Sequence, residues 1–221
     1  TGDYTEKDKF DVILMNPPYG GSEQSIIQQN FPGNMRSAET ADLFLILIMT
    51  RLKATGRAAV IIPDGFLFGG GNKAEIKKGL LHDFNLHTVV RLPGSVFSPY
   101  TSIATNILFF NGTGPTKETW FYRVDMPEGY KHFSKTKPML LEHFAELDAW
   151  WNNRVPLAQN GMDKARCYSA EELEELNFNF DLCGFTQEEE EILPPEELIA
   201  RYQAERARHL KVMDDALDHI L

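Results

Sequence analysis

Several things are scarce in this sequence, and each scarcity excludes a class of chemistry. Of its 221 residues only two are cysteine, Cys167 and Cys183, separated by fifteen residues with no Cys-x-x-Cys motif. That pattern indicates neither a disulfide framework nor a zinc site. The six histidines are scattered without ligand spacing, so no metal is expected. No run of about eighteen apolar residues occurs and no basic-then-apolar start, which argues against a membrane span or a secretory signal and for a cytoplasmic location. The glycine cluster Phe68–Asn72 lacks the Gly-Lys-Ser/Thr of a phosphate loop. It reads as a flexible loop in which Asn72 caps an amphipathic helix over Lys73–Leu81.

Positive charge is also in short supply, with 22 Lys+Arg against 32 Asp+Glu and a net charge of −10. The deficit is uneven: residues 1–150 hold 15 basic and 16 acidic side chains, whereas residues 151–221 hold 7 and 16. An almost neutral front half does not hold nucleic acid tightly by itself, so a partner is expected to supply most phosphate contacts. An acidic, solvated surface on any cytoplasmic protein would give the same count. The 43% hydrophobic and 11% aromatic content is ample for a packed core.

The most informative stretch is Phe10–Met15, a short apolar run that empties into Asn16-Pro17-Pro18-Tyr19. The run reads as a buried strand, and the two prolines forbid both its continuation and a helix starting at Asn16. A rigid turn of this kind holds the Asn16 carboxamide beside backbone carbonyls that no ladder uses, with an aromatic face just after. Methylation of an exocyclic base amine needs those features. The amine lone pair is delocalised into its ring until acceptors take the two N–H bonds, here the Asn16 side-chain oxygen and the Pro17 carbonyl. The ring of Tyr19 can then stack on a base flipped out of a duplex. The plainer reading is a Pro-Pro turn that closes a strand, and the full tetrapeptide at a strand end weighs against it.

Downstream, the turn-rich segment 20–37 reads as a long mobile loop over the site. Thr40 or Asp42 begins a helix that is apolar nearly all round over Leu43–Leu52 and closes over Lys53–Gly56 with Gly56 as its cap. Ala58–Ile62 is a second buried strand, and strand–helix–strand at this spacing is a right-handed parallel crossover. Leu86–Leu92 and Ile103–Phe110 are further strands, joined by a loop too short for a crossover helix and therefore antiparallel in a mixed α/β sheet. Trp120–Val124 is one more short strand. Met139–Trp151 is a helix whose apolar face includes Trp150 and Trp151 as packing residues. Glu171–Leu176 is a short acidic helix, Glu188–Glu191 a solvated charge run, and Pro194-Pro195 starts a last helix striped by Leu210, Met213, Leu217 and Ile220.

Asn16-Pro17-Pro18-Tyr19 resembles the Asp/Asn/Ser-Pro-Pro-Tyr/Phe motif of S-adenosylmethionine-dependent amino-methyltransferases. Ala41–Leu45, Gly56–Phe68 and Leu92–Phe110 narrow the resemblance to the modification subunit of type I restriction-modification systems, an N6-adenine DNA methyltransferase. It runs in order from about Phe10 to Phe110 and more weakly into the tail. It implies a partial Rossmann-like methyltransferase fold, a mixed sheet with a reversed last strand, and a C-terminal helical region. Implied catalytic residues are Asn16, Pro17, Pro18 and Tyr19, and Phe97 opposite Tyr19 is the implied second wall for a flipped adenine. From the residues alone, Phe97 is equally a loop anchor.

The family's glycine-rich cofactor loop should precede Asn16, where only fifteen residues stand. Most of the S-adenosylmethionine site is therefore expected before Thr1, its contacts are unassigned, and the chain is expected to be inactive alone. Implied partners are DNA, a DNA-specificity subunit and a restriction subunit, with no membrane. The expected division is 1–125 for half of the catalytic domain, 126–168 for a connection and packing helix, and 169–221 for an acidic tail that associates with another subunit. Two rivals share the motif or the tail: methylation of release-factor glutamine or ribosomal guanine, and a non-catalytic assembly module.

Overall fold

In the computed structural model the described residues are 5–159 and 161–184 and, beyond them, 199–200, 202–203, 206–208 and 210. The chain divides into two compact units, Thr1–Phe185 and Thr186–Leu221. In the second unit the described residues are helical, and they include Leu210. Met213, Leu217, Ile220, the 188–191 charge run and Pro194-Pro195 lie outside the described residues.

The first unit runs β1 (Phe10–Met15), α1 (Ser25–Gln28), α2 (Thr40–Arg51), β2 (Leu52–Pro63), α3 (Gly65–Phe68), α4 (Asn72–Asp83), β3 (Asn85–Arg91), β4 (Thr105–Asn111), β5 (Glu118–Arg123), α5 (Ala145–Trp151), β6 (Leu157–Gln159), β7 (Met162–Ser169) and α6 (Ala170–Glu175). The seven strands form one mixed sheet in the order β1-β2-β4-β3-β5-β7-β6. β1 and β2 pair parallel, as the crossover through α2 requires, and β4 runs antiparallel to both β2 and β3. β5 pairs parallel with β3, so the carboxyl ends of β1, β2, β3 and β5 share one edge of the sheet.

Neighbouring strand residues point to opposite faces, and each face has its own core. Val89 and Phe121 join Leu45, Ile46 and Ile48 of α2 and Ile76 and Leu80 of α4 in one cluster. Val90 and Tyr122 join Leu147 and Trp150 of α5 in the other. A fully buried aliphatic side chain of this kind contributes about 1.5–3 kcal/mol relative to exposure. Trp150 packs edge-on against Trp120, with ring centroids 5.5 Å apart, in agreement with its reading as a packing residue. Lys77, almost wholly buried, donates to the carbonyls of Leu67 and Gly69 at 2.7 and 3.0 Å and ties α4 to α3. Its burial, reinforced by the nearby Lys73 charge, brings its ammonium down to about 8.

Several local expectations are corrected. Lys53–Gly56 does not cap α2, because the helix stops at Arg51 and these residues already belong to β2. Gly56 serves a close approach: a Cβ there would lie 2.9 Å from the Phe10 carbonyl oxygen, where the register against β1 slips. Asn72 is the first residue of α4, not its cap. Gly71, with φ of 59°, takes that place, and the Asn72 amide donates instead to the Arg36 carbonyl. Segment 20–37 is not structureless, since it contains α1, a 3-10 turn at Gly33–Met35 and a bridge between Ser22 and Glu39. Helix α5 begins only at Ala145, after a separate turn at Leu141–Phe144. The 126–168 stretch contributes β6 and most of β7 to the sheet.

β1 occupies one end of the strand order, and Phe10, Val12 and Leu14 are 51%, 50% and 76% exposed. An open strand edge beside apolar side chains is a template for pairing with another chain. The isolated 221-residue chain is therefore expected to self-associate in a concentration-dependent way, and Leu14→Lys to reduce it. Light scattering over a concentration series checks this. A strict monomer with β1 amides protected from exchange would contradict it.

Candidate functional site

The crevice beyond the carboxyl ends of parallel strands is where open α/β sheets hold ligands. Here that edge receives the chain leaving β1 at Asn16, β2 at Asp64, β3 at Leu92 and β5 at Val124. Pro17 is buried and fixes the exit from β1, while Asn16 and Pro18 are exposed and Tyr19 is half-buried. The Tyr19 hydroxyl donates to Asn16 Oδ1. Burial pushes the Tyr19 phenol up to about 12, so near neutral pH it keeps its proton and remains a donor.

Phe97 reaches the same place from the loop after β3. Turns built on Ser98 N to Ser95 O and Tyr100 N to Phe97 O, both 2.9 Å, hold that loop. The Phe97 and Tyr19 ring centroids are 5.9 Å apart with planes at 63°, an edge-to-face contact. The structure thus brings Asn16, Pro17, Tyr19 and Phe97 together, with Pro18 between them in the chain. No carbonyl of the tetrapeptide lies in a strand, because β1 ends at Met15.

Beside this group is a buried polar network that the sequence reading missed. Arg91, 3% exposed, closes β3 and donates through Nη2 to Asp64 Oδ1 at 2.8 Å and Asp181 Oδ1 at 2.6 Å. Its Nη1 donates to the Gly184 carbonyl at 3.0 Å and its Nε to Asn106 Oδ1 at 3.3 Å. The wholly buried Asn106 donates in turn to Asp64 Oδ1 at 3.0 Å. The register partner of Arg91 in β5, Arg123, donates to Asp125 and to the carbonyls of Asp163 and Cys183. Opposite Arg123, Asp125 is held below the usual carboxylate range: desolvation pushes it upward, but bonds from Arg123 and Lys164 outweigh that. The network fastens segment 181–184 and the start of β4 across the edge that carries the site. Its one sequence signal is polar side chains, Arg91 and Asn106, within otherwise apolar strands.

Among the described residues no group of three or more His, Cys, Asp and Glu is placed to hold a metal ion. No described helix is long and apolar enough to cross a membrane. Along the open side of β1 lies a mostly apolar groove of about 430 Å³ lined by Phe10, Val12, Leu14, Phe44, Leu47 and Arg51 among others.

Residues 1–192 match the model of the family described as N-6 DNA Methylase. The chain is 49% identical over 203 residues to the type I restriction enzyme EcoEI methylase subunit of Escherichia coli, covering 90% of this chain and 41% of that protein. It thus spans about two fifths of that relative's length. Among solved structures, the type I restriction-modification system methyltransferase subunit from Streptococcus thermophilus superposes with a TM-score of 0.66 at 26% identity, over 82% of this chain and 39% of that one. A chain solved in a study of complex assembly and conformational transition of the type I R-M system gives 0.69 at 38% identity, over 94% and 44%.

Removing one partner from a buried ion-pair network leaves uncompensated charge and costs about 3–5 kcal/mol. Arg91→Ala is expected to lower unfolding stability by that amount in urea denaturation. A loss below about 1 kcal/mol, the range of exposed pairs, would show that the network does not hold this edge together.

Proposed function

The chain belongs to the N-6 DNA methylase family, and on that premise we propose that it carries the amine-binding side of an adenine-specific DNA methyltransferase subunit of the type I restriction-modification class. The observation that carries this reading is the convergence of Asn16, Tyr19 and Phe97 at the carboxyl end of β1. In the proposed reaction the 6-amino group of a flipped adenine donates one N–H to Asn16 Oδ1 and the other to the Pro17 carbonyl. Two acceptors draw the lone pair out of conjugation and aim it at the incoming methyl group. The Tyr19 hydroxyl at present fills the Asn16 acceptor, so the amine replaces it donor for donor. Tyr19 and Phe97 touch edge-on, and a base entering between them parts the two rings and stacks on them. Asn16 and Pro17 accept hydrogen bonds without taking a proton, and Tyr19 stays protonated. The proton released from the methylated amine, a strong acid, therefore passes to water.

S-adenosylmethionine would supply the electrophilic methyl group when bound. The described residues do not by themselves fit it: the groove beside β1 is apolar, and the glycines at 69–71 follow α3 rather than a strand. The proposed partners are DNA, which the family match favours, and the specificity and restriction subunits of the same system. The second unit, Thr186–Leu221, holds 4 basic and 10 acidic side chains, and that excess of acid is poorly suited to phosphate and supports it as a segment that docks on protein.

Asn16→Ala in the complete subunit, assembled with its partners, is expected to slow single-turnover adenine methylation by about 10²–10³-fold, the usual cost of a lost transition-state hydrogen bond. DNA affinity should stay within about twofold, because the ground state loses little. Near-normal turnover would overturn the assignment of Asn16.

A further inference from the structure

The segment between β5 and the Leu141–Phe144 turn stands out in a chain otherwise rich in acid. Residues 126–138 hold Lys131, Lys135 and Lys137 against one carboxylate, Glu128, a local net charge of +2. All three lysines are exposed. The backbone that carries them is nevertheless fixed. Phe133 is wholly buried, and its ring meets those of Tyr130 and His143 at 5.7 and 5.6 Å. Ser134 and Lys137 exchange backbone hydrogen bonds of 3.0 and 3.2 Å, closing a tight turn that presents Lys135 at its tip. The Lys137 ammonium lies 4.9 Å from the Tyr130 ring centroid.

Two further facts place this turn. The segment leaves the carboxyl end of β5, on the same sheet edge as Asn16. The Phe133 N–H donates to Ser95 Oγ at 2.8 Å, which fastens the segment to the loop that carries Phe97. That loop, residues 95–104, has no charged side chain to oppose the lysines. Of the carboxylates around the segment, Asp125 is bonded to Arg123 and Lys164, Glu146 to Lys164 at 2.6 Å, and Glu142 lies 4.0 Å from His143. Three solvent-facing ammonium groups on a fixed backbone, fastened to the loop of an aromatic base-binding pair, suit a polyanion whose charges repeat along a backbone and whose bases are read next door.

We infer that residues 126–138 form a phosphate-gripping arm, in which Lys131, Lys135 and Lys137 hold the DNA backbone next to the extruded base while Ser95 keeps the arm in register with Phe97. This inference rests on the adenine methyltransferase reading. The arm supplies affinity without sequence choice, which is consistent with base recognition residing in another subunit.

The test uses the complete subunit assembled with its partners and carrying the triple substitution Lys131→Gln, Lys135→Gln and Lys137→Gln, with the corresponding triple arginine variant as a control that keeps the charge. Each phosphate contact contributes about 0.9 to the slope of log affinity against log salt concentration. The glutamine variant should therefore lose about 2.7 from that slope, so that affinity falls about 40-fold less steeply than in the parent between roughly 50 and 200 mM salt. The arginine variant should match the parent in both slope and affinity. A slope change in the glutamine variant smaller than about one contact overturns the arm and would point to an acidic protein surface as its partner. Failure of the methyltransferase reading is seen separately, as absence of adenine methylation by the parent assembly, while a salt slope lowered in the glutamine variant would still mark a nucleic-acid contact.

Discussion

A strand that runs into two consecutive prolines can neither extend its ladder nor pass into a helix. That constraint leaves Asn16 at the carboxyl edge of the sheet, exposed beside a buried Pro17. The parallel pairing of β1 with β2, with Met15 opposite Val60, then leaves Asn16 beside the last residues of β2, and β3 and β5 add Arg91 and Arg123 near the same edge. Every group with a proposed role in amine binding or DNA contact sits on a loop that leaves this edge. The helices behind the sheet supply the packing that keeps the strands in register.

The buried arginines explain how loops of very different length stay aligned. Arg91 bonds simultaneously to the end of β2, the start of β4 and segment 181–184, so one guanidinium fixes three pieces of chain remote in sequence. A planar group with five donors is suited to this in a way that a lysine is not. Ser95 extends the same principle outward by joining the Phe97 loop to the lysine-bearing segment. The result is a rigid floor beneath a site whose own contacts, Tyr19 to Asn16 and Tyr19 to Phe97, are few and able to open.

Much of the fold is legible in the sequence because its central strands are unbroken apolar runs with a proline or glycine at the end, as in Ala58–Ile62 before Pro63. β6 and β7 are not. Met162–Ser169 mixes Asp163, Lys164 and Arg166 with apolar residues, and its reading as strand depends on counter-charges from Asp125 and Glu146 that only the fold brings near. The helix ends escape for a similar reason: Gly56 and Gly71 both look like punctuation, but one lets a backbone pass Phe10 and the other starts a helix at positive φ. At the proposed site, the motif and strand position single out Asn16, Pro17 and Tyr19 as candidates. Phe97 is reached only through family resemblance, since a lone aromatic in a loop carries no periodic signal. Asn-Pro-Pro-Tyr alone suits amide and guanine methylation as well as adenine, and it is the family match over residues 1–192 that points to DNA.

The central claim, that the target adenine is held against Tyr19 and Phe97 at the end of β1, is tested most directly by photocrosslinking. The complete subunit with its partners would be irradiated on duplex DNA carrying 5-iodouracil in place of the target adenine, and the crosslinked peptide sequenced. The account predicts attachment to Tyr19 or Phe97, lost when the iodinated base is moved a few positions away. Attachment to a peptide elsewhere in the assembly, with none on these two residues, would contradict it.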